Sequence, residues 1–179
     1  MDLMPLVESI HASALGEWMR SSLKAMPVVE AIHVLSVAIV FGSIFIVDLR
    51  LLAASDTRRA FTRVSGELLR FTWFGFAAAA ITGAMMFAAN AVTYYGNTAF
   101  RLKLVAMAAA GINMAIFQFV TERRVSAWDR DARPPAAARV AGLLSILLWI
   151  AVIFLGRWIG FTKGYDFAIP EEVQFEFPG

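Results

Sequence analysis

Residues 31–47 read AIHVLSVAIVFGSIFIV, a stretch with no Asp, Glu, Lys or Arg, and three further stretches share that property: 71–100, 104–121 and 140–156. At ~1.5 Å rise per residue, about 20 apolar residues cross the hydrocarbon core of a bilayer. Each stretch reaches that length once its weakly polar flanks are added. A water-soluble four-helix bundle needs a polar face on every helix, and these have none. The reading is an all-α integral membrane four-helix bundle.

Composition agrees. The chain has 179 residues, 59% of them hydrophobic and 17% charged, with a formal charge of only +2. Its basic residues form no nucleic-acid patch, so nucleic acid is not an expected partner. With no cysteine present, disulfides, thiolate metal sites and thiol catalysis are excluded. The first 26 residues lack a basic segment followed by an apolar core, so no cleavable signal peptide is expected.

The cations orient the chain. Arg50, Arg58, Arg59, Arg63 and Arg70 lie between the first two apolar runs, and Arg123, Arg124, Arg130, Arg133 and Arg139 between the last two. The other six Lys and Arg are spread over the opposite side. The positive-inside rule then places both Arg-rich loops in the cytoplasm of a bacterial inner-membrane protein and both termini in the periplasm.

Along the chain, residues 4–25 read as one amphipathic helix in the outer interface, with Leu6, Ile10, Ala14, Leu15, Trp18 and Met19 on its apolar face. Spans are expected at about 27–53, 68–91, 99–122 and 138–158. Asp56 and Thr57 should open the second helix, and Val92 to Asn97 should form an outer turn whose Tyr94 and Tyr95 sit at an aromatic belt. Asn97 or Thr98 should cap the third helix. Residues 1–159 then make the transmembrane domain and 160–179 an acidic, aromatic periplasmic tail. Gly42/Ser43, Ala77 to Gly83, Ala108 to Gly111 and Ala141/Gly142 offer close helix contacts.

An ionisable side chain on a spanning helix is costly to bury and is a functional candidate for that reason. Glu30 and His33 sit early in the first span, Lys103 early in the third and Arg157 late in the fourth, all near the outer face. Glu30 and His33 are three apart, so the carboxylate can orient or charge-stabilise the imidazole. Met107 shares a face with Lys103, and Met85 and Met86 approach the same depth from the second span. This set suits a b-type haem, with His33 as axial ligand and Lys103 and Arg157 meeting the propionates. It also suits a quinone, or Cu(I) held by His33, Met85 and Met86. A bis-His haem needs two intramembrane histidines and the chain has one. The bland readings are that Lys103 and Arg157 snorkel and that the methionines pack. Likewise His11 is solvated, Asn113, Gln118 and Thr82 are interhelical hydrogen-bonding residues, and Asp48-Leu49-Arg50 anchors the topology.

Glu30-Ala31-Ile32-His33-Val34-Leu35, Phe41-Gly42-Ser43, Val47-Asp48-Leu49-Arg50-Leu51-Leu52, Asn97-Thr98-Ala99-Phe100-Arg101-Leu102-Lys103-Leu104 and Gly156-Arg157-Trp158-Ile159 resemble a family of small four-helix bacterial inner-membrane proteins whose domain has no assigned function. More distantly, His33 and Lys103 are similar to the first-helix His and third-helix Lys of four-helix protoporphyrinogen oxidases, and the chain resembles copper-resistance D-type membrane proteins. The oxidase resemblance implies haem or porphyrin contact at the His33 layer. It departs on the third helix, where Asn113 and Gln118 stand in place of a second His.

Three functions stay open at this stage. One is a redox-associated, electron-transfer membrane protein binding a b-type haem or quinone through His33. Another is a non-catalytic accessory subunit of a larger respiratory or photosynthetic complex, whose partner subunits contact its tail and helix faces. The third is copper handling.

Overall fold

Pro27 in a first turn, Asn97 before an apolar run and Pro134-Pro135 before another mark where long apolar helices begin. The computed structural model bears this pattern out. It describes residues 3–52, 60–129 and 133–162, apart from the side chains of 121–124. These form α1 (Met4–His11), α2 (Ala14–Ser21), α3 (Ala25–Leu51), α4 (Phe61–Ala89), α5 (Ala91–Gly96), α6 (Thr98–Ile116) and α7 (Ala136–Thr162). After α6 the chain widens into a π turn, Phe117–Thr121, and then tightens into a 3-10 helix, Glu122–Ala127. No strand occurs among the described residues.

Four helices are long and apolar enough to cross a membrane: Ala25–Leu51, Phe61–Ala89, Thr98–Val120 and Ala136–Thr162. The chain is a multi-pass, all-α membrane protein. Its spans pack as two antiparallel hairpins, α3 with α4 and α6 with α7, joined where α3 meets α7. Small residues let these backbones approach. A Cβ on Gly75 of α4 would lie 3.1 Å from the Ser36 carbonyl of α3, and one on Gly142 of α7 would lie 3.2 Å from the Asp48 carbonyl. Gly42 and Gly111, also expected at contacts, face open space instead: a Cβ on either would meet nothing within 4 Å. By contrast α4 and α6 form no packed seam. They are bridged at one end by three stacked rings, with Phe87–Phe100 centroids 5.6 Å apart and Tyr94–Phe100 centroids 5.2 Å apart.

The expected single helix over 4–25 is two. Ser13 breaks it: its hydroxyl donates to the Ile10 carbonyl at 2.6 Å and accepts the Gly16 N–H at 3.2 Å, capping α2. A Cβ on Gly16 would come within 2.8 Å of both the His11 and Ala88 carbonyls, so only glycine lets α2 lie against the end of α4. Arg20 fastens the junction, its Nη1 donating to the His11 carbonyl at 2.8 Å and to the Ala89 carbonyl at 3.2 Å. It also meets His11 Nδ1 at 3.2 Å, so that imidazole is tied to Arg20 rather than merely solvated.

Other boundaries shift too. Val92 to Asn97 is mostly helix rather than turn, because α5 runs over Ala91–Gly96. Asn97 caps α6 as expected, accepting the Phe100 N–H at 3.0 Å. Residues Asp56, Thr57, Arg58, Arg59 and Arg130, and the tail beyond Thr162, lie outside the described residues. The first turn of α4 is capped from a distance: Asp129 accepts the Thr62 N–H at 2.8 Å and the Thr62 hydroxyl at 3.1 Å. Beside it Leu51, Phe61, Trp128 and Ala138 form a buried cluster.

Candidate functional site

His33 lies eight residues into α3, about 12 Å from the helix start at ~1.5 Å per residue. It is half-buried against α4. Gly83 makes room for the ring, since a Cβ there would lie 3.2 Å from His33 Cε1. Thr82 fixes it, with Oγ1 2.9 Å from His33 Nδ1. The same hydroxyl is 2.7 Å from the Ala78 carbonyl one turn back. A hydroxyl has one proton. Donating it to Ala78 leaves Thr82 to accept from His33, which places a proton on Nδ1, and in the neutral ring Nε2 then carries the lone pair.

Lys103 enters from the other hairpin. It is half-buried, one turn into α6, and its stem lies across Gly156 of α7: a Cβ there would be 3.5 Å from Nζ and 3.7 Å from Cε. The charge of Lys103 acts on the His33 ring, and so does that of Glu30. His33 and Lys103 are thus within electrostatic reach of one another, each lodged on a glycine of its neighbouring helix.

The other expected members are placed differently. Glu30 is exposed, and the ring's hydrogen bonds go to α4, to Thr82 and to the Ala79 backbone, so the carboxylate acts on the imidazole through charge at longer range. Arg157 is exposed and sits over the Phe161 ring at 5.5 Å. Met107 is half-buried, one turn along from Lys103. Met85 and Met86 pack with Met26 onto the cluster of Met19, Ala25, Val29 and Ala89 beneath α2. Of the expected hydrogen-bonding residues, Asn113 donates to the Ala141 carbonyl at 3.0 Å and links α6 to α7, while Gln118 is exposed.

Tyr94 is a neighbour of the site that sequence reasoning misses, because an aromatic residue near a span end reads as an interfacial anchor. It is buried in α5, within the ring stack between α4 and α6. Burial holds its phenol above the ordinary tyrosine range, and the Glu30 carboxylate adds to that shift. Glu30 is therefore near enough to act on both His33 and Tyr94. A surface groove of about 400 Å³ between α6 and α7 is lined by Asn97, Leu102, Phe154 and Trp158, among others, but by neither His33 nor Lys103.

Residues 15–162, nearly all of the bundle, match a family of unknown function (DUF6644). The chain belongs to that family. No curated protein and no solved structure matches it.

Proposed function

We propose that this DUF6644 protein binds a redox-active cofactor through His33, near the membrane face that carries α1, α2 and α5. The supporting observation is the His33–Thr82 pair with Lys103 within electrostatic reach. A ring fixed at Nδ1 presents Nε2 as an acceptor of defined direction, and a neighbouring ammonium favours a ligand oxygen that carries negative charge.

A quinone fits these features best. A quinol hydroxyl would donate to His33 Nε2, and Lys103 would donate to a ring oxygen. The lack of a packed α4–α6 seam leaves a side of the bundle by which a lipid-soluble ring could arrive. A b-type haem is the second reading, favoured by the same Thr82 bond. A ligating imidazole usually has its other nitrogen held by a hydrogen-bond partner, and Lys103 would then meet a propionate. The likeness to protoporphyrinogen oxidases rests on His33 and Lys103 alone. Copper handling loses support because Met85 and Met86 are packed beneath α2. In this reading the protein resides in a bacterial inner membrane with both termini periplasmic, an orientation that rests on the arginine count.

The test is an absorption spectrum and a lipid extract of protein purified in mild detergent. Retained quinone, lost in His33→Ala, is the expected result, and a Soret band lost in the same variant would select haem. A colourless, quinone-free preparation would end the proposal and leave the accessory-subunit role. That role predicts partners whose co-purification depends on residues 160–179 and not on His33.

A further inference from the structure

At the opposite end of α3 lies a second ionisable group that the His33 site does not use. Asp48 is only 5% exposed, although its place beside the membrane boundary would allow it to reach water. Its Oδ2 is fully enclosed with no hydrogen-bond partner. Ser145 of α7, a neutral donor, hydrogen-bonds the carboxyl. Gly142, one turn away on α7, presses on the Asp48 carbonyl closely enough that a Cβ would sit 3.2 Å from it, which keeps water out.

Among the described residues, the charged groups nearby are directed elsewhere. Arg50 is completely buried, and its Nη2 donates to the Asp129 carbonyl at 3.4 Å. The Asp129 carboxylate is occupied by Thr62. From α4, Arg63 pairs with Glu67 on the exposed surface at 3.2 Å. Arg139 of α7 is exposed. Asp48 also sits in the last turn of α3, where the helix dipole is negative and disfavours an anion. A carboxylate there would carry desolvation, an unmet oxygen and an adverse dipole together, whereas the neutral acid avoids the charge-dependent part of each.

We infer that Asp48 is a proton-binding site: its carboxyl holds a proton at neutral pH between α3 and α7, on the face opposite His33. This assignment does not depend on the cofactor reading. A bound proton there is a store that either membrane-side proton traffic or a change in the α3–α7 seam could draw upon.

The decisive measurement is infrared spectroscopy of the full chain in lipid vesicles, with and without aspartate carrying ¹³C at the side-chain carboxyl. The expected result is a protonated-carboxyl band at neutral pH that shifts with the label and disappears in Asp48→Asn. Asp48→Asn, which mimics the neutral acid in shape, should retain wild-type thermal stability. If that variant fails to fold, Asp48→Glu serves instead, and its acid band should be insensitive to the aspartate label. Absence of an isotope-sensitive acid band at neutral pH in the wild-type protein would overturn the assignment, whatever cofactor the His33 site holds.

Discussion

The two hairpins treat their polar residues differently. Between α3 and α4 the polar contacts run from side chain to side chain: His33 to Thr82 at 2.9 Å and Ser43 to Thr72 at 2.8 Å. Between α6 and α7 the tie at mid-span is Asn113 to a backbone carbonyl, a side-chain pair, Asn97 to Thr162 at 2.9 Å, stands only where the two helices end, and most of the α6 surface stays uncovered. The first seam fixes both members of each pair and sets an imidazole in one orientation. The second holds a long cationic stem against a bare glycine and leaves its end adaptable. A site built from one member of each seam thus combines a fixed acceptor with an adjustable donor.

The largest effect should come from the junction that supports the stiffer hairpin. Gly16→Ala places a methyl against two backbone carbonyls, and it should cost about 1–3 kcal/mol and loosen α2 from α4. Thermal unfolding in detergent, with protease sensitivity of residues 4–24, measures both. An unchanged melting point would mean that α2 docks some other way.

Thr82→Val keeps the shape of the side chain but removes the hydroxyl, at a cost of about 0.6–1.7 kcal/mol, the range for hydrogen bonds between membrane helices. It should also weaken cofactor retention by freeing the ring. Asn113→Ala should fall at about 0.6 kcal/mol and leave retention alone. If the two variants lose cofactor equally, the distinction between the seams disappears.

Gly156→Leu tests the adjustable half. The added side chain would occupy the space where Lys103 Cε and Nζ now lie. Cofactor affinity should fall by less than in His33→Ala, with the His33–Thr82 pair still intact by NMR of a labelled imidazole.

The smallest effect is a titration. Tyr94 is held in its neutral form mainly by burial and secondarily by Glu30. Glu30→Gln should therefore move its ionisation back toward the ordinary value without reaching it. The difference in ultraviolet absorbance between parent and Tyr94→Phe proteins follows this. Because the folded phenol ionises at higher pH than the unfolded one, its contribution to stability is complete below the ordinary tyrosine value and declines as pH rises through the folded value.

Much of this is legible in the residues, and what is not has a pattern. Hydropathy places the four spans, and Asn97 and Pro134-Pro135 mark two starts, because apolar length and capping chemistry are local signals. His33 and Lys103 stand out as ionisable groups in apolar surroundings. Glu30 suggests itself as the orienting group because it stands three residues from His33, whereas Thr82 is 49 residues away and no local spacing reveals it. The break at Ser13 is hidden by an apolar periodicity that runs straight through it. Arg50 reads as a surface anchor because a cation at a helix end normally finds water, yet it is completely buried and donates to the Asp129 carbonyl, 79 residues along the chain.

The cap supplied by Asp129 has a consequence for biogenesis. The first backbone N–H groups of a helix have no partner within it. The one on Thr62 is satisfied by a residue 67 positions further along the chain. While the ribosome is still making that later segment, the second span enters the bilayer with its leading turn unfinished. Its final anchoring therefore waits until the third span has been threaded and has returned its following residues to the same side.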